Sequence, residues 1–99
     1  MHSISFRPEA REEYLSARRW YDEQVAGLGA EFEACIEEKL LSIGEHPRLY
    51  SIVHRDIREA IVRRFPYAIY FRLNERGVRV LSVFHTSRNP AEWQSRADD

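Results

Sequence analysis

The chain has 99 residues, of which 43% are hydrophobic, and it contains one cysteine. This length indicates a single compact domain, which we expect to span residues 1–99. The lone Cys35 excludes an internal disulfide framework and a cysteine-based zinc site. No apolar run approaches the roughly 20 residues of a membrane helix and no secretory leader opens the chain, so we expect a soluble, cytoplasmic protein without membrane contact.

The charges are distributed unevenly along the chain, although the net charge is only −1. Residues 1–45 carry five basic against ten acidic side chains, a net charge of −5. Residues 46–99 carry ten arginines against six acidic side chains, a net charge of +4. This division predicts a two-faced molecule, whose basic half can meet an anionic partner such as nucleic acid or an acidic peptide.

The first half of the chain predicts one strand and two helices. Residues 3–6 alternate polar and apolar side chains, which is typical of a short strand. A helix is expected over residues 8–26, because Pro8 suits a first helical turn and apolar residues then recur at helical spacing. A second helix is expected over residues 29–44, with an apolar stripe formed by Phe32, Ile36, Leu40 and Ile43. The glycines between the two helices predict an antiparallel helical hairpin.

The second half predicts a sheet followed by a short helix. Residues 48–56 show no sustained period and are interpreted as a loop. Strands are expected over residues 57–64, 67–73 and 78–85. The last of these has apolar residues at both even and odd positions, so we expect it to be an interior strand that is covered on both faces. A capped helix is expected over residues 90–97. The order predicts an α+β fold with the helical hairpin on one face of a mainly antiparallel sheet.

This order and two motifs resemble the RelE/ParE toxin superfamily. The motifs are Arg-Arg-Phe-Pro-Tyr-x-Ile-Tyr at residues 63–70 and His-x-x-Arg-x-Pro-x-x-Trp at residues 85–93. The resemblance covers the chain from Ser3 to Arg96 and is strongest to the ParE branch, the toxins of plasmid-stabilisation modules. Each motif alone is weakly specific, whereas their order and distances together are fairly specific.

The resemblance implies a function and its partners. It implies the toxin of a type II toxin–antitoxin module, neutralised by a cognate antitoxin, with no cofactor and no metal. The ParE branch inhibits DNA gyrase by binding it, whereas the RelE branch cleaves mRNA on the ribosome without a metal. One scaffold hosts both actions, so the sequence leaves open whether this chain is an enzyme. It also leaves open whether toxin and antitoxin form a dimer, a tetramer or a larger assembly.

RNA cleavage by a 2′-hydroxyl needs a base, a cation that holds the phosphate charge and an acid for the leaving oxygen. The candidate catalytic residues for this alternative are His85, Arg88, Arg64 and Tyr67. Arg63 and Arg64 should point to opposite faces if both lie in a strand, so at most one of them can join the site. The RelE branch typically adds a lysine-rich patch and a tyrosine, or a His–Tyr pair, near its C-terminus. This chain has one lysine, Lys39, in its acidic half, so binding without catalysis is the favoured interpretation.

A toxin that acts by binding needs a target surface and an antitoxin surface. Candidate target contacts are Arg63, Arg88, Trp93 and Arg96, although packing of the last helix onto the sheet is the favoured role of Trp93. Trp20 neighbours Tyr21 and Leu41 neighbours Leu40, and only one residue of each pair can face the core. Trp20 and Leu41 are therefore candidates for an exposed apolar patch that an antitoxin covers, and the strand of Ile4 offers an edge for strand addition. Adjacent carboxylates such as Glu12 and Glu13 are interpreted as a solvated helix face.

Overall fold

The computed structural model describes residues 1–98. Its helices are α1 (Pro8–Gln24), α2 (Leu28–Glu45) and α3 (Ala91–Gln94), with short 3₁₀ helices at Pro47–Leu49 and Ser95–Asp98. Its strands are β1 (Ile4–Phe6), β2 (Ile52–His54), β3 (Ile57–Ile61), β4 (Tyr67–Asn74) and β5 (Gly77–His85). Neither long helix in this part of the chain has the apolar length required to cross a membrane.

The five strands form one sheet in the order β1-β5-β4-β3-β2. β1 pairs with β5 in parallel, and the other neighbours are antiparallel. The helical hairpin packs on one face of this sheet, which confirms the predicted α+β fold. β5 lies between β1 and β4, so the prediction of an interior strand is also confirmed.

A β-bulge in β5 explains why its apolar residues occur at both even and odd positions. Phe71 of β4 lies opposite Val80, and the next residue back along β4, Tyr70, lies opposite Ser82. Leu81 is therefore an extra residue on β5, and it reverses the alternation of the side chains that follow. As a result, Val80 and Val83 face the helices although they are three positions apart.

Each face of the sheet has its own apolar core. The helix-side core joins Phe32 and Ile36 of α2 to Phe71 and Val80, and it includes the buried thiol of Cys35. The second core lies on the opposite face and consists of Ile57, Ala68, Tyr70, Leu81, Phe84 and Trp93. The C-terminal segment covers this second core, because Trp93 of α3 stacks on Tyr70 with ring centroids 3.8 Å apart.

The turn between the helices is stabilised by a carboxylate of α1. Asp22 Oδ1 accepts hydrogen bonds from the backbone N–H groups of Gly27 (3.0 Å) and Gly29 (3.1 Å), so it caps the start of α2. Gly29 is required by close approach of the helices, since a Cβ there would lie 2.6 Å from the Arg18 carbonyl oxygen.

Three predicted boundaries were wrong. Residues 48–56 are not only a loop, because they contain β2, which pairs with β3 at the sheet edge. The strand predicted over 57–64 ends at Ile61, and Arg64 adopts a left-handed φ of 73° in the following loop. The helix predicted over 90–97 ends as α3 at Gln94, and the remaining residues tighten into a 3₁₀ turn.

Candidate functional site

The site lies where β5 continues past its short neighbour β1. β1 pairs only with Val78–Val80, so the remaining edge of β5 exposes backbone groups that need partners. Glu13 Oε1 of α1 accepts a hydrogen bond from the Val83 N–H (3.2 Å), and Arg96 Nη1 donates one to the Leu81 carbonyl (2.8 Å). Two side chains from distant parts of the sequence therefore complete this edge.

Glu13 is the centre of this polar cluster. Its carboxylate also accepts hydrogen bonds from the Ser82 hydroxyl (2.9 Å) and from both terminal nitrogens of Arg96 (3.0 and 3.1 Å). The side chains of Glu13 and Arg96 are only 13% and 14% exposed. The interpretation of Glu13 as part of a solvated helix face was therefore wrong. Glu13 lies three residues after the buried Ala10 and four residues before the buried Ala17, which places all three on one face of α1. This spacing was the sequence signal that could have placed Glu13 near the core.

Arg88 borders the cluster on its solvent side. Its guanidinium pairs with Glu92 in the next helical turn and lies 3.6 Å from Glu13 Oε2. The same group lies 4.6 Å from the centre of the Phe84 ring, within the range of a cation–π contact. Arg88 is thus a partly exposed cation held by two carboxylates.

His85 and Tyr67 form a cross-strand pair beside Arg88. They are register partners on β5 and β4, with ring centroids 5.2 Å apart. His85 Nδ1 accepts hydrogen bonds from the Ser87 backbone N–H (3.1 Å) and pairs with the Ser87 hydroxyl (2.8 Å). Because a backbone N–H can only donate, the neutral imidazole carries its proton on Nε2. Burial raises the pKa of the Tyr67 phenol above its usual value.

The two arginines of the β3–β4 loop turn toward α2. Arg63 forms two hydrogen bonds of 3.3 Å to Glu38, and Arg64 forms one of 3.0 Å to Glu31. Neither arginine lies in a strand, so the condition under which they would point to opposite faces is not met. Of the predicted catalytic residues, the structure brings His85, Tyr67 and Arg88 together and directs Arg64 to the start of α2.

Two of the predicted target contacts are largely inside the molecule. Trp93 is 3% exposed and packs α3 onto the sheet, which is the second of the roles considered for it. Arg96 is bound to Glu13 and to the β5 backbone. Arg63 and Arg88 remain accessible at the surface.

A groove of about 590 Å³ opens between α1 and the end of β5. Its walls combine carboxylates, two arginines and aromatic rings, contributed by Glu9, Glu12, Glu13, Ser16, Ala17, Trp20, Tyr67, Val83, Arg88 and Arg96. Trp20 is 56% exposed at one wall and meets Tyr21 edge-on, with ring centroids 5.1 Å apart. We call this feature the Trp20 groove.

Trp20 and Leu41 are both exposed, as predicted, but they do not form one patch. Contacts between Arg18 and Glu33 and between Tyr14 and Glu37 align the antiparallel helices. Leu41 is then level with Ala10, ten residues from Trp20 and about 15 Å away at the helical rise of 1.5 Å per residue. Ile4 is half-buried against the core, whereas its strand β1 is an edge of the sheet.

A helical hairpin on a five-stranded sheet, with a polar cluster where the last strand ends, defines a small α+β domain with a candidate binding site at one end of the sheet. A family model described as "ParE toxin of type II toxin-antitoxin system, parDE" matches residues 4–90. The chain therefore belongs to the ParE toxin family of type II toxin–antitoxin systems, which implies an antitoxin partner.

A solved structure titled "Chromosomal ParDE TA system from P. aeruginosa" contains a chain that is similar to this one. The TM-score is 0.64 and the sequence identity is 11%, over 86% of this chain and 96% of that chain. At this identity the likeness concerns the fold alone. No curated protein matches the chain in sequence.

Proposed function

We propose that this chain is a cytoplasmic toxin that acts by binding, that its target is DNA gyrase and that a cognate antitoxin neutralises it. Membership of the ParE family supports the target class. The observation that carries binding rather than catalysis is the state of the candidate catalytic arginines. Arg88 is paired with Glu92 and Glu13, and Arg64 is paired with Glu31, so both charges are already compensated within the chain.

The state of His85 supports the same conclusion. A general base needs a free lone pair on the imidazole. In His85 the Nδ1 lone pair is occupied by Ser87, and Nε2 carries the proton of the neutral ring. The ring therefore cannot take a proton from a 2′-hydroxyl without giving up its contacts with Ser87.

The Trp20 groove is the surface that we propose for the antitoxin. The exposed Trp20 indole gives this groove an apolar anchor point. The acidic and basic side chains around it can form polar contacts with an antitoxin segment that lies along α1. Leu41 lies too far along the hairpin to contribute to the same anchor.

The experiment that tests the target uses the purified chain with DNA gyrase and supercoiled plasmid. We expect linear plasmid once gyrase has been denatured, since a poison of this class stabilises the complex in which gyrase has cleaved the DNA. His85→Ala should retain this effect, because His85 has no chemical step to perform in the proposal. Unchanged plasmid together with ribosome-dependent mRNA cleavage that disappears in His85→Ala would instead assign the chain to the RelE type.

A further inference from the structure

Two arginines face each other at the end of the sheet that is remote from His85. Arg72 of β4 and Arg79 of β5 are direct register partners, so their Cβ atoms lie roughly 5 Å apart. Like charges in this position destabilise a sheet unless something compensates them. Arg76 follows in the turn between the two strands and is exposed.

Of these two arginines, only Arg72 has its positive charge balanced by a carboxylate. Arg72 donates to both carboxylate oxygens of Asp56 (2.8 and 3.0 Å) and to the Ala97 carbonyl (2.7 Å). Arg79 donates to the Phe6 carbonyl (3.0 Å), a neutral acceptor. Within residues 1–98, neither Arg79 nor Arg76 pairs with a carboxylate, so two positive charges remain uncompensated at this end of the sheet.

These arginines enclose a cavity of about 440 Å³. We call it the arginine pocket; it is lined by Arg72, Arg76 and Arg79 together with Ser5, Asn74 and the backbone at Gly77 and Val78. None of these described lining residues is acidic, so a ligand meets hydrogen-bond donors and positive charge. An adjoining cavity of about 340 Å³ shares Arg72 and Arg79 and adds Arg7 together with its ion-pair partner Glu9.

We propose that the arginine pocket binds a phosphate group of a nucleic-acid backbone. Guanidinium groups match phosphate oxygens in paired hydrogen bonds, and the pocket offers two arginines, Arg76 and Arg79, that pair with no carboxylate within residues 1–98. Each strand of a DNA duplex carries one phosphate charge per about 3.4 Å of helix axis, so the phosphates beside the bound one add attraction to the same positive end of the sheet. The site lies at the opposite end of β5 from the candidate functional site and stands whether or not gyrase is the target.

The test is fluorescence anisotropy of a labelled 20-base-pair DNA duplex with the full chain at 50 mM salt. Arg76→Ala removes an exposed charge that forms no ion pair within residues 1–98, so folding should be unaffected. We expect it to weaken binding by about tenfold and to reduce the salt slope by about one, as the loss of one phosphate contact does. Arg11→Ala is the matched control, since Arg11 is an equally exposed arginine on α1, and it should change affinity less than twofold.

Competing probes separate the sources of the anion. A poly-glutamate peptide and inorganic phosphate should each displace the duplex only at much higher concentration. Equal binding of the peptide would assign the pocket to an acidic protein, and equal binding of inorganic phosphate would assign it to a free anion; either result overturns the proposal. Equal losses in Arg76→Ala and Arg11→Ala, or no binding by the unmodified chain, would overturn it as well.

Discussion

Glu13 supplies the hydrogen-bond acceptor at the free edge of β5, where a longer β1 would supply a backbone carbonyl. It binds Ser82, Val83 and Arg96 while being mostly buried. Helical spacing could have shown that position 13 adjoins the buried stripe of α1. Its partners could not have been predicted, because Arg96 lies 83 residues away in the sequence.

Glu13→Gln should lower the free energy of unfolding by about 1–3 kcal/mol, because it leaves the buried Arg96 guanidinium without its counter-charge. Urea denaturation measures this loss. Glu12→Gln is the control, since Glu12 is exposed and its nearest cation, Arg19, lies 3.9 Å away. Equal stability of the two variants would show that the Glu13 charge is not needed for the fold.

Tyr70 should make the protein sensitive to alkali. Burial and the hydrogen bond to Glu59 raise the pKa of the Tyr70 phenol far above its usual value. A raised pKa in the folded state gives stability that is complete below the unfolded pKa, near 10, and is lost as the pH rises above it. Urea denaturation between pH 8 and 11 should show this fall. Tyr70→Phe should reduce this fall without abolishing it, because burial also raises the pKa of the Tyr14, Tyr21 and Tyr67 phenols. An identical fall in the variant would exclude a contribution from Tyr70.

At the scale of elements, local sequence signals predicted α1 and α2 well, because Pro8 and the interhelical glycines mark their ends. They failed after Ile61, where apolar residues and arginines continue a strand-like pattern. Arg63 and Arg64 leave the sheet there to pair with Glu38 and Glu31 of α2, and such long-range ion pairs have no local signal. β2 was missed because three residues paired at an edge carry little periodicity.

Trp20→Ala should weaken binding of the antitoxin at least tenfold, because truncation of a central aromatic anchor typically costs about 2 kcal/mol or more of binding free energy. Isothermal titration of the chain with its proposed antitoxin partner measures the affinity. Leu41→Ala is the matched control on the same hairpin, about 15 Å away by helical rise. If Leu41→Ala weakened binding and Trp20→Ala did not, the antitoxin surface would lie at the other end of the helices.

At the scale of the whole molecule, the acidic and basic halves of the sequence partly neutralise each other. Ion pairs from Arg63, Arg64, Arg88 and Arg96 to carboxylates of α1 and α2 cross between the two halves. The prediction of a two-faced molecule therefore holds only where arginines lack such partners, chiefly at the arginine pocket. Charge counts indicated the excess but could not locate it, because location depends on which strands pair.

The prediction of one domain over residues 1–99 can be checked by unfolding. Both cores share the same sheet, so far-UV circular dichroism and tryptophan fluorescence should report one coincident transition. Trp20→Phe leaves the buried Trp93 as the sole tryptophan and makes the fluorescence a probe of the second core. A fluorescence transition at lower denaturant would mean that the C-terminal segment detaches before the sheet unfolds.

The bulge at Leu81 gives β5 one residue more than its pairing with β4 requires. Deleting Leu81 would join Val80 directly to Ser82 and make the pairing continuous, so Phe84 would stay opposite Ala68 and His85 would stay opposite Tyr67. The loss would fall on the second core, which the Leu81 side chain helps to fill. Relatives with one residue fewer here would therefore keep the same side chains at the end of β5 and differ in how the second face of the sheet is filled.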